Sequence, residues 1–87
     1  MPRELYLTRT FERLFKHLPP QIQNEAIEKL LLYSADPAHP SLRVKRIRGT
    51  DRIWEMSVTM NYRITFEVEG DTVILRRIGT HDILKRP

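Results

Sequence analysis

Residues 52–84 read RIWEMSVTMNYRITFEVEGDTVILRRIGTHDIL, and the rest of the chain is arranged around this stretch. Trp54, Met56 and Val58 alternate with Glu55, Ser57 and Thr59; Tyr62, Ile64, Phe66 and Val68 alternate with Arg63, Thr65, Glu67 and Glu69. Strict alternation over such short runs predicts strands buried on one face. Glu69-Gly70-Asp71 reads as a three-residue hairpin loop, with Gly70 free to take a positive φ. Thr59-Met60-Asn61 supplies the preceding turn. Centring the loops on Gly70 and Met60 sets Arg63 opposite Arg77, Phe66 opposite Ile74, Ser57 opposite Arg63 and Glu55 opposite Thr65. Opposed residues share a face. One face then carries Glu55, Ser57, Arg63, Thr65 and Arg77. The other carries Trp54, Met56, Val58, Tyr62, Ile64, Phe66, Ile74 and Ile78, and calls for helices to cover it. Val73 and Leu75 fall on the polar side in this register, so that side must be partly covered or the strand buried on both faces.

Upstream, Glu4–Thr8 is a short strand. Thr8 or Thr10 caps a helix over 11–18, whose apolar face is Phe11, Leu14, Phe15 and Leu18. Pro19-Pro20 ends it and opens a second helix over 20–34, with Ile22, Ala26, Ile27, Leu30 and Leu31 as its apolar stripe. Asp36–Pro40 is a loop. Leu42 and Val44 alternate with Arg43 and Lys45 until the pattern breaks at Arg46-Ile47, as at a bulge or strand end. Strand, helical hairpin and antiparallel strands in that order predict an α+β fold, with the helical hairpin packed on one face of an antiparallel sheet. The length of 87 residues fits one domain spanning 1–87.

The formal net charge of +4 favours polyanions, nucleic acid or an acidic protein, as partners. With no cysteine there is neither a disulfide nor a thiolate metal site, which fits a cytoplasmic protein. No apolar run is long enough to span a membrane and no signal-peptide pattern opens the chain. His17, His39 and His81 lie too far apart in sequence for a local zinc motif, so neither a metal nor another cofactor is expected. Imidazole suits proton transfer near neutral pH, which makes His81, at the end of the last strand, a candidate acid–base group. A surface histidine in a terminal turn is the plain alternative. Arg63 and Arg77 beside it suit phosphate oxygens, although Arg63 also faces Glu55 as an ion-pair partner. Arg43, Lys45, Arg46, Arg48 and Arg52 form the densest basic cluster, readable as an RNA-binding surface or as a charged strand edge that deters aggregation. Trp54 and Tyr62 have the parity of core residues rather than of base-stacking platforms.

The run 61–84, with its Tyr62-Arg63 strand, acidic turn, apolar strand and Gly79-Thr80-His81 ending, resembles the C-terminal half of the RelE/ParE superfamily of bacterial toxins. His39-Pro40-Ser41-Leu42 followed by Arg48-Gly49 resembles the middle of that family. The resemblance implies the RelE-like fold and a toxin that an acidic antitoxin neutralises. It further implies a metal-independent endoribonuclease that cuts mRNA, in the ribosome-dependent members at the decoding site. In relatives that end Gly-x-His this histidine is catalytic, which implies that role for His81. The arginine of the Tyr-Arg strand, here Arg63, contacts the scissile phosphate, and His39 matches a second active-site histidine of some relatives. The tail Asp82-Ile83-Leu84-Lys85-Arg86-Pro87 departs from the family in having no aromatic residue, so Lys85 and Arg86 become candidates for part of that work. Two other readings stay open: a non-enzymatic, gyrase-inhibiting toxin of the ParE branch, and a basic RNA-binding module. The cleavage sequence and the oligomeric state are not legible.

Overall fold

The computed structural model describes residues 3–87. The elements are β1 (Glu4–Leu7), α1 (Arg9–Lys16), α2 (Pro20–Ala35), β2 (Lys45–Arg46), β3 (Trp54–Ser57), β4 (Tyr62–Glu69) and β5 (Thr72–Thr80). Short 3-10 turns occupy Pro40–Leu42 and His81–Lys85. The strands form one sheet in the order β1-β5-β4-β3-β2. All neighbours are antiparallel except β1, which runs parallel to β5. The sheet is therefore mixed: the helical hairpin intervenes between β1 and the rest, which is the kind of long crossover that a parallel neighbour needs.

Thr8 caps α1 as expected, accepting from the Phe11 N–H at 3.1 Å. Its hydroxyl also donates to the Leu75 carbonyl at 2.7 Å, which ties the start of the helix to β5. Pro19-Pro20 separates the helices and puts proline in the first turn of α2. The core joins Phe11, Ala26, Leu30 and Tyr33 of the helices to Met56, Ile64, Phe66, Val73, Leu75 and Ile78 of the sheet and to Val58 just after β3. Tyr33 meets Phe66 edge-on with ring centroids 5.1 Å apart. Among the described residues no helix is long and apolar enough to cross a membrane.

The first hairpin has the expected register, with Ser57 opposite Arg63 and Glu55 opposite Thr65. The second does not. Glu69 pairs with Thr72, so the loop is the two residues Gly70-Asp71 rather than three, and Gly70 takes a φ of 59°. Glycine with positive φ at the first of two loop positions is what a type II′ connection demands. The ladder then shifts between Thr65 and Phe66: Thr65 faces Arg77 and Phe66 faces Leu75, leaving Arg76 as the extra, bulged residue. Arg63 consequently faces Gly79, not Arg77. The bulge reverses the parity of 72–75, so Val73 and Leu75 enter the core while Ile74 turns to the opposite face. It also keeps Arg77 on the face of Glu55 and Thr65.

Three other expectations change. Trp54 is 36% exposed, because at the end of the sheet it faces Arg46 of the two-residue strand β2 and escapes helix cover. Ile27 and Leu31 are 47% and 64% exposed. The buried side of α2 runs through Ala26, Leu30 and Tyr33 instead. Leu42 and Arg43 do not extend β2: Leu42 is buried in the 3-10 turn, and Arg43 ends that turn in the left-handed region, with φ 49° and ψ 47°.

Candidate active site and adjoining basic cleft

Antiparallel pairing lays Lys45, Glu55, Thr65 and Arg77 in one row across the sheet face away from the helices. Ser57, Arg63 and Gly79 form the next row towards the Met60 turn. This is the polar face the alternation predicts, but it is not open. The chain after β5 turns back through His81–Lys85 and packs on β4 and β5. The Pro87 carbonyl accepts from Thr65 Oγ1 and from Arg76 Nε, each at 3.1 Å. Arg76 is held in turn by Glu67. Gly79 makes room for this tail: a Cβ there would lie 2.8 Å from Ile83 Cγ2. Thr65, bonded to the tail, is fully buried, and Glu55 and Ser57 on β3 are nearly so. Lys85 and Arg86 remain exposed on it.

Arg63 is gripped from two sides. Its Nε lies 3.6 Å from Glu55 Oε1, with both side chains almost buried. Its Nη1 donates to the carbonyls of Thr59, Met60 and Tyr62 at 2.7, 2.9 and 3.1 Å. Nη2 takes part in none of these contacts. His81 is exposed, and its Nε2 lies 3.4 Å from the same Met60 carbonyl. The sheet therefore brings Arg63 and His81 to one point at the Met60 turn, with Arg77 one row away. His39 is placed differently. Its Nδ1 accepts from the Ser41 N–H at 3.2 Å and lies 2.9 Å from Ser41 Oγ. It stands behind Ser41 as the cap of the 3-10 turn.

The basic cluster does not stay together. Arg43 is at the Met60 end of the sheet. Lys45 and Arg46 point to opposite faces of the edge strand, Lys45 beside Glu55 and Arg46 beside Trp54. Arg48 and Arg52 are exposed in the 47–53 connection at the far end, where Arg52 lines a hollow with Asp51, Glu67 and Glu69.

β2 pairs only with Trp54 and Glu55, so the outer edge of β3 beyond Glu55 is not covered by a strand. A cleft of about 250 Å³ opens there, lined by Lys29, Ser41, Arg43, Ser57, Val58, Thr59, Met60 and Arg63. Lys29, from α2, and Ser41 were not singled out from the sequence. The signal was available for Lys29: it lies three residues after Ala26 and four before Tyr33, on the inward side of its helix.

A family model described as a ParE-like toxin domain matches residues 20–82. The chain is similar to toxin RelE3 of Methanocaldococcus jannaschii, 32% identical over 79 residues covering 86% of each chain. Its fold is similar to that of the RelBE2 toxin–antitoxin complex of Mycobacterium tuberculosis, with TM-score 0.78, 21% identity and 93% of each chain covered. The RelB–RelE antitoxin–toxin complex of Methanococcus jannaschii gives TM-score 0.75 and 26% identity, covering 92% of this chain and 94% of that one. With the family model spanning most of the chain and a relative alike over most of its length, the chain belongs to the RelE/ParE family of toxins.

Proposed function

We propose that this toxin is a metal-independent endoribonuclease that cuts mRNA at the ribosome and so inhibits translation in the cytoplasm. The observation that carries the reading is the meeting of Arg63 Nη1 and His81 Nε2 at the Met60 carbonyl, 2.9 and 3.4 Å from it. In the proposed reaction a ribose 2′-oxygen attacks the adjacent phosphorus and the bond to the 5′-oxygen breaks. The products are a 2′,3′-cyclic phosphate and a 5′-hydroxyl. His81 takes the proton from the 2′-hydroxyl or gives one to the leaving oxygen. Arg63, through its free Nη2 edge, and Arg77 neutralise charge growing on the phosphoryl oxygens. His39 acts at one remove, through Ser41. Lys45, Lys85 and Arg86, exposed on the side of Arg77, hold the RNA backbone, and Arg46, Arg48 and Arg52, which the fold sets apart from them, are left for ribosomal RNA. Solved relatives are complexes of toxin with antitoxin; we extend that pairing to this chain, and its net charge of +4 favours an acidic antitoxin that neutralises it.

The test is growth arrest on induced expression. His81→Ala, an exposed position, folds as the wild type does and loses about two to four orders of magnitude in cleavage rate, and with it toxicity. A variant as toxic as the wild type at equal soluble levels removes the assignment. The ParE-like match and the engagement of Arg63 with Glu55 and the turn carbonyls favour one other reading, a non-enzymatic gyrase inhibitor. Arrest with gyrase-linked DNA damage and intact mRNA selects it.

A further inference from the structure

We infer that the cleft between α2, the 3-10 turn and the outer edge of β3 is a phosphate subsite. It would hold a backbone phosphate of the RNA strand beside the one at Arg63, with Lys29 and Arg43 as its ligands. The inference rests on the nuclease reading for the identity of the strand, but its geometry is independent of it. Three of the lining residues, Lys29, Arg43 and Arg63, are cationic and none is acidic. Glu55, just beyond the cleft on β3, is paired with Arg63. Lys29 and Arg43 form no ion pair among the described residues; two cations facing one cleft repel each other, and an anion between them relieves that repulsion.

Two local features fix the ligands. Arg43 is the one non-glycine residue with positive φ among those described. A β-carbon is disfavoured in that conformation, so glycine would serve the fold better there. The backbone strain delivers a guanidinium to the cleft. Lys29 is steered by a relay. The Ser41 N–H donates to His39 Nδ1, which leaves the ring proton on Nε2. The Ser41 hydroxyl lies 2.9 Å from the same Nδ1, and Lys29 Nζ lies 3.5 Å from Ser41 Oγ. An ammonium has three donors, so one contact to Ser41 leaves the others for phosphate oxygens. His39 and Ser41 are positioning residues in this arrangement, and Lys29 and Arg43 the binding ones.

The experiment is fluorescence anisotropy of a labelled twelve-nucleotide single-stranded RNA, titrated over a series of salt concentrations. All proteins carry His81→Ala so that the RNA stays whole. Lys29→Gln should weaken binding about five- to twentyfold and flatten the log–log salt slope by about 0.7, one phosphate contact on a single strand. Ser41→Ala removes no charge, so it should weaken binding several-fold with the slope unchanged. Arg43→Gly should weaken binding like Lys29→Gln while raising the melting temperature, since it relieves the strained backbone. The control is Lys16→Gln on the exposed side of α1. Binding and slope indifferent to Lys29→Gln and Arg43→Gly overturn the proposal, as does a control that loses as much as Lys29→Gln. The two readings fail separately. RNA bound through the cleft, while mRNA in cells expressing the wild-type chain stays uncut, leaves the subsite standing and removes the nuclease. Messenger RNA cut in those cells, with the salt slope untouched by Lys29→Gln, does the reverse.

Discussion

Arg63→Ala should destabilise the protein as well as disarm it, and the size of that effect follows from Glu55. The pair is only 12% and 8% exposed, so removing the guanidinium strands a carboxylate with little access to water. Breaking a buried ion pair from one side costs about 3–5 kcal/mol. Lys45 stands directly opposite Glu55 and supplies part of a replacement, so the lower end, about 3 kcal/mol, is expected. For a domain this small, that lowers the melting temperature by about 12–24 °C. Of the turn carbonyls that Arg63 also holds, that of Met60 is open to water and those of Thr59 and Tyr62 are partly so, which limits their added cost. Glu55→Gln/Arg63→Ala leaves no orphan charge and should recover about 2 of the 3 kcal/mol, which a double-mutant cycle by urea denaturation measures. A loss below about 1 kcal/mol in the single variant, or no recovery in the double, refutes the buried-pair account. The functional consequence is direct: lost toxicity in Arg63→Ala alone mixes stability with chemistry, whereas in the double variant it reports chemistry.

Gly79→Ala places a methyl 2.8 Å from Ile83 Cγ2, so it should lift the C-terminal tail and cost about 1–3 kcal/mol; hydrogen exchange should accelerate over 81–87 first, and unchanged protection there contradicts the packing. Burial raises the Tyr33 hydroxyl above its ordinary pKa of 10.0, offset in part by Arg3. The unfolded chain then ionises first, so stability holds below about pH 10 and falls as pH rises through the folded-state value; Tyr33→Phe should flatten that alkaline decline in a pH series of denaturation curves. Reversing charge at Lys45 and Arg48 together should weaken RNA binding and its salt dependence without unfolding the domain, since both are exposed, and affinity indifferent to salt and to these changes counts against an electrostatic surface.

Elements whose residues alternate or recur in phase were legible in the sequence. The Met60 hairpin, its register and the capping of α1 by Thr8 follow from local pattern alone. The β5 bulge was less visible. One residue added to a strand reverses the parity of what precedes it, and the only trace was the misfit of Val73 and Leu75. α2 is apolar on more than one side, so periodicity could not decide that Ile27 and Leu31 face outwards while Tyr33 turns in. Trp54 has the right parity for the core but sits where the helix layer ends, and parity carries no information about where cover stops. The closeness of His81 to Arg63 was legible because the last strand delivers residue 81 to the edge where Arg63 sits. Lys29 and Ser41 were missed because their meeting depends on a turn of the chain between 35 and 43 that no short pattern encodes. The fold-back of 81–87 was missed for the same reason, although glycine at 79, opposite Arg63, is the feature that admits it.

The nuclease reading is tested most directly by the chemistry of the RNA ends that the toxin leaves. Messenger RNA from cells expressing the wild-type chain, with its 5′ ends mapped and its 3′ ends treated to distinguish cyclic from linear phosphate, should show new cuts within translated sequence. Those cuts should carry 5′-hydroxyl and 2′,3′-cyclic phosphate ends and be absent with His81→Ala at equal soluble levels. Growth arrest with no such ends, or the same ends at undiminished frequency from His81→Ala, contradicts the account.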